Sequence, residues 1–109
     1  MATRAERLAL NEAAFRVANE RASRWDERHA QGEAELYLCE CADLACPARI
    51  ELTQEAYEAV RENSLHFFCA PGHEIPDVET VIERHEKYVV IEKGPEVADL
   101  VTETDPTRD

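Results

Sequence analysis

Glu35-Leu36-Tyr37-Leu38-Cys39-Glu40-Cys41-Ala42-Asp43-Leu44-Ala45-Cys46-Pro47-Ala48-Arg49-Ile50-Glu51-Leu52 is the stretch that decides the fold. Its two ends, 35–39 and 49–52, alternate apolar and polar residues with the period of two that a half-buried strand shows. Between them lies a turn-like segment, Ala42 to Pro47. The simplest reading is a β-hairpin whose loop carries three cysteines spaced C-x-C-x4-C.

Outward from the hairpin, Thr53 is placed to N-cap a helix running to about Asn63, with Glu55 in its first turn and Ala56, Tyr57 and Val60 on its apolar face. Leu65-His66-Phe67-Phe68-Cys69 reads as a strand, and Pro71-Gly72 turns the chain. Pro76-Asp77 is expected to open a short helix with Val78, Val81 and Ile82 inward. Lys87-Tyr88-Val89-Val90-Ile91-Glu92-Lys93 is the clearest strand, ended by Gly94-Pro95. The acidic segment 95–109 is expected to be a frayed tail.

Before Gly32 the chain contains neither Gly nor Pro, the composition of one long helix over Thr3–Gln31. At 1.5 Å per residue it would be roughly 40 Å long. Leu8, Phe15, Ala18, Ala22 and Trp25 fall on one stripe, which would either pack on the chain's own body or form a seam with a second copy. The expected fold is thus α+β in one domain: a long N-terminal helix (1–31), a β-β-α-β-α-β body (32–94) and the tail (95–109).

The chain has 109 residues and a formal charge of −12. No run of about 18 apolar residues occurs, and the start lacks an export signal, so a membrane span and secretion are not expected. A cytoplasmic location with reduced thiols follows as the expectation, and four cysteines then point to metal or redox chemistry rather than disulfides. The charge is uneven: residues 1–31 sum to +1, with six arginines, and residues 32–109 to −13. Nucleic acid is therefore an unfavourable partner, and the arginines of the helix read as a solvated face laced with ion pairs.

The acidity bears on the cysteines. Glu40 and Asp43 flank them, and negative charge makes an unliganded thiolate less available, whereas a divalent cation neutralises it. Metal is favoured over a redox pair such as Cys39–Cys41. Zinc takes four thiolate or imidazole ligands from turns distant in sequence. Cys39, Cys41 and Cys46 supply one turn, and His73 of Cys69-x3-His73 supplies the other. Cys69 ends an apolar strand, where a buried thiol is an ordinary core residue, so it is held in reserve. A catalytic zinc would want a general base, and Glu40, Glu74 or His66 could fill that part, but nothing selects among them. No phosphate-binding Gly-rich loop or His-Glu-x-x-His occurs, and no catalytic residue is assigned.

Asn11-Glu12-x-x-Phe15-Arg16-Val17-x-Asn19-Glu20-Arg21, Cys39-Glu40-Cys41-Ala42-Asp43-x-x-Cys46, Glu55-x-Tyr57-Glu58-x-Val60-Arg61, Phe68-x-x-Pro71-Gly72-His73 and Val89-Val90-x-Glu92-Lys93 together span nearly the whole chain. In this combination the chain resembles a family of small uncharacterised proteins from actinobacterial-type genomes. The resemblance implies a shared fold and Cys/His cluster and no activity; in that pattern the position of Cys69 is usually aliphatic. The expectation is a zinc-binding protein-interaction or regulatory module, with a thiol or zinc redox sensor as the alternative and an enzyme behind both. A protein partner or a second copy would engage the helix through Phe15, Ala18, Ala22 and Trp25.

Overall fold

A computed structural model describes residues 2–26 and 34–107, with the backbone alone for 23–26. Helix α1 spans Arg4–Asp26. Thr3 and Glu6 begin it with a capping box: the Glu6 amide donates to Thr3 Oγ1 at 3.1 Å, and the Thr3 amide to Glu6 Oε1 at 3.0 Å. Residues 27–31 of the expected helix lie outside the described residues.

Strands β1 (Ala34–Leu38) and β2 (Arg49–Thr53) form the expected antiparallel hairpin, with Tyr37 opposite Ile50. Helix α2 (Gln54–Arg61) follows directly, and Thr53 Oγ1 caps it by accepting the Ala56 amide at 3.1 Å. Strand β3 (His66–Cys69) comes next.

The expected helix after Pro76 is corrected by the structure. Residues 75–78 make one turn, with the Val78 amide donating to Ile75 O at 3.0 Å, and the chain then enters strand β4 (Glu79–Arg84). Strand β5 (Val89–Lys93) buries Val89, Val90 and Ile91 and sits between β3 and β4, both antiparallel to it. A central strand needs hydrogen-bonding partners on both edges, and the β-branched Thr80-Val81-Ile82 suits the second one better than a helix. The register shifts from Val81↔Ile91 to Glu83↔Val90, so Ile82 is the extra residue of a bulge, 40% exposed rather than inward.

The tail is corrected too. A 3-10 turn (Pro95–Val97) leads into helix α3 (Ala98–Glu103), and Val97 and Val101, four residues apart, are buried on one face. Asp105 is also buried, accepting from Ser64 Oγ at 2.6 Å.

Between the two sheets, Tyr37 and Tyr57 stack at 4.5 Å with Phe68 edge-on to both. Helix α1 packs on this body through Ala9, Glu12, Ala13, Arg16 and Asn19, each at most 5% exposed. The expected stripe lies elsewhere: Leu8 and Phe15 are half-buried, Ala18 and Ala22 are exposed, and the Trp25 side chain lies outside the described residues. Nor is Arg16 part of a solvated face. Its guanidinium donates to Ser64 O and Val101 O, both at 2.6 Å, and lies 4.5 Å from the centre of the Phe67 ring.

Candidate metal centre

The hairpin loop and the β3–β4 connection meet at one end of the molecule. Cys39 follows β1, and Cys41 and Cys46 flank a tight turn in which the Cys46 amide donates to Asp43 O at 3.0 Å and the Ala45 amide to Asp43 Oδ1 at 2.9 Å. Asp43 therefore shapes the knuckle through an Asx-type bond. On the other side, Ala70-Pro71-Gly72-His73 is a tight turn closed by the His73 amide on Ala70 O at 3.0 Å. Gly72 has φ 91°, which only glycine adopts without strain, and Pro71 presets the preceding position.

These turns bring Cys39 Sγ, Cys41 Sγ, Cys46 Sγ and one His73 ring nitrogen within 4.8 Å of one another. His73 Nδ1 is 3.5 Å from Cys39 Sγ and 3.6 Å from Cys46 Sγ. Tetrahedral zinc with Zn–S of about 2.3 Å and Zn–N of about 2.0 Å has S···N edges of about 3.5 Å. The donor set can hold a metal ion, and the two S···N distances from His73 match that edge. All three thiols are buried, whereas His73 is exposed. Burial pushes the Cys39 thiol far up, with Cys41 and Cys46 adding to it against the Ala70 amide, which donates to Cys39 Sγ at 3.2 Å. Burial likewise raises Cys41, against a backbone hydrogen bond from Asp43. Burial and the neighbouring thiols thus favour the neutral form of Cys39 and Cys41, and a divalent ion removes that penalty.

Cys69 is fully buried in β3 opposite Val89 and lies outside this cluster; burial pushes its thiol up as well. A cleft of about 250 Å³ lined by Cys41, Ala42, Asp43, His73 and Ile75 opens beside the centre.

Glu40 plays a different part from the acidic neighbour expected. Fully buried, its carboxylate accepts from Arg61 Nη2 at 2.5 Å and from Asn19 Nδ2 at 2.9 Å. Its charge is thus answered internally, and the Arg61 guanidinium lies 5.2 Å from the Tyr57 ring centre. The other residues considered as a base are also engaged: His66 with Glu92 at 2.9 Å, and Glu74 with the Gly72 amide at 2.8 Å. Sequence reasoning missed Asn11, Asn19, Arg61 and Glu79, which brace the two ligand turns. The usable signal was that polar Asn11, Glu12, Arg16 and Asn19 recur at helical spacing, which reads as a solvent face unless buried partners are known.

Comparison of the chain with family models finds no match. Comparisons with curated proteins and with solved structures likewise find none.

Proposed function

We propose that the chain is a zinc-binding module in which a Cys39–Cys41–Cys46–His73 centre clips the hairpin to the three-stranded sheet. The observation that carries this is the convergence of four donors, from two turns some thirty residues apart in sequence, to within 4.8 Å of one another. Four protein ligands close the coordination shell, the pattern of structural rather than catalytic zinc. Zinc would supply a redox-inert positive charge to three thiolates, and the chain's residues do the rest. Cys39 Sγ takes a backbone N–H, Gly72 shapes the turn that presents His73, and Asp43 holds the knuckle shut.

In this reading the module acts by interaction with a protein, not by turnover. Its support is the outer face of α1, where Ala18 and Ala22 are exposed, Phe15 is half-buried and Leu10 is 43% exposed. Native mass spectrometry of the reduced protein is expected to show one zinc per chain. Structural zinc contributes on the order of 10 kcal/mol, comparable to the whole stability of a domain this size. Even about 3 kcal/mol of that, at about 4–8 °C per kcal/mol, makes chelation lower the melting temperature by more than about 10 °C. Metal-free protein with a melting temperature indifferent to chelator would sink the proposal.

A further inference from the structure

The two ligand turns share one support. Asn19 of α1 donates to Leu38 O at 2.9 Å and accepts the Leu38 amide at 2.8 Å, holding the residue before Cys39 by both backbone groups. The same amide reaches Glu40 Oε2, inside the C-x-C pair, at 2.9 Å. Two turns earlier on α1, Asn11 donates to Ala42 O at 2.8 Å, on the far side of Cys41. The thiolate turn is thus gripped on both flanks from one helix.

The histidine turn is gripped from the same helix by a buried relay. Lys93 Nζ of β5 lies 2.6 Å from Glu12 Oε1 of α1 and 2.9 Å from Glu79 Oε1 of β4. Glu79 Oε2 in turn accepts the Ile75 amide at 3.0 Å, two residues beyond His73. The parallel is close. Each ligand turn is tied to a buried carboxylate, Glu40 or Glu79; each carboxylate is answered by one buried base, Arg61 or Lys93; and each arrangement ends on α1.

Among the described residues, the apolar side chains that α1 buries on this face are the small Ala9 and Ala13, with Ala5 packed beside them, in company with the polar Glu12, Arg16 and Asn19. Its docking therefore depends heavily on polar bonds, whose donors and acceptors must be held in register.

We propose that Asn11, Asn19 and Glu12 make α1 the common outer support of the metal centre, so that docking of α1 and metal occupancy are thermodynamically coupled. This rests on the metal reading above. Outer-sphere partners of metal ligands orient the donors, and their removal costs about 10–100-fold in metal affinity. Coupling is reciprocal, so metal must favour the docked helix by the same factor by which docking favours metal. A partner that captures α1 would then loosen the metal, and metal loss would free α1 for a partner.

The test uses the full chain. Metal affinity is measured by competition with a chromophoric chelator for wild type, Asn19→Ala, the milder Asn11→Ala, and Leu52→Ala, a core truncation at the far end of β2. The expected result is a loss of 10-fold or more for Asn19→Ala and a smaller loss for Asn11→Ala. Their cobalt spectra should remain those of the wild type, because all four ligands are kept, and folded Leu52→Ala should bind as wild type does. Hydrogen exchange on the wild type should show chelation releasing protection at 9–19 before that at 89–91. Affinities within 2-fold of wild type in both asparagine variants, or protection of α1 indifferent to metal, would overturn the coupling and leave the metal reading standing. Wild type that binds no metal would overturn both.

Discussion

Glu12 is a carboxylate buried among Glu79, Lys93 and the small residues of α1, and the balance of charge there is uneven: two acids face one base. Burial, together with the Glu79 carboxylate, pushes Glu12 up to about 8, although Lys93 pulls the other way. Burial disfavours the Lys93 ammonium, but the two carboxylates outweigh it and hold that amine above its ordinary value, so the base stays charged. An unfolded glutamate titrates near about 4.3, so between there and about 8 the folded chain retains a proton that the unfolded chain has released. Stability from this group is therefore complete below the unfolded value and is lost as pH rises through the folded one. Glu12→Gln keeps the shape and an acceptor for Lys93 but cannot titrate. Urea unfolding at saturating metal, from pH 5 to 8, should show wild-type stability declining relative to Glu12→Gln as pH rises. Parallel pH profiles for the two proteins would refute the buried proton.

At the level of elements, helix α3 separates composition from structure. Segment 95–109 reads as a polar tail because its acids outnumber its apolar residues, and that count hides Val97 and Val101, one turn apart and both buried. Val101→Ala is expected to cost about 2 kcal/mol in urea unfolding, from two buried methyl groups and the cavity they leave. A frayed tail would keep the change within about 0.5 kcal/mol. The hairpin was legible because Tyr37, Ile50 and Leu52 alternate with polar neighbours, and α2 because Thr53 announces it. Strand β4 was not, because Pro76-Asp77 is a valid helix opening locally and only the unfilled edge of β5 overrules it. Convergence of Cys39, Cys41, Cys46 and His73 was legible from residue type and spacing, since few other arrangements use three thiols and an imidazole on turns. The brace around them was not. Asn19 and Arg16 look like surface residues until the backbone groups they satisfy, Leu38, Ser64 and Val101, are brought beside them by the fold.

For the whole molecule, the two sheets belong to one folded body of 42 × 32 × 24 Å but are separate hydrogen-bonded ladders, and the candidate metal centre lies where their loops meet. That location gives the net charge of −12 a specific consequence. The acids act on an incoming cation as a summed field, and salt controls its range. The Debye length is about 30 Å at 10 mM ionic strength and about 8 Å at 150 mM. At low salt that field spans the molecule and draws a divalent ion toward the exposed His73 side of the centre; at physiological salt its reach contracts to about 8 Å. The buried pairs Glu40–Arg61 and Lys93–Glu79 are shielded from solvent ions and should respond far less. Stopped-flow uptake of cobalt by reduced, metal-free protein is thus expected to slow several-fold between those two ionic strengths, while dissociation, governed by bonds inside the closed shell, changes little. Equal association rates at both salts would mean that the acidity of the body has no part in loading the metal.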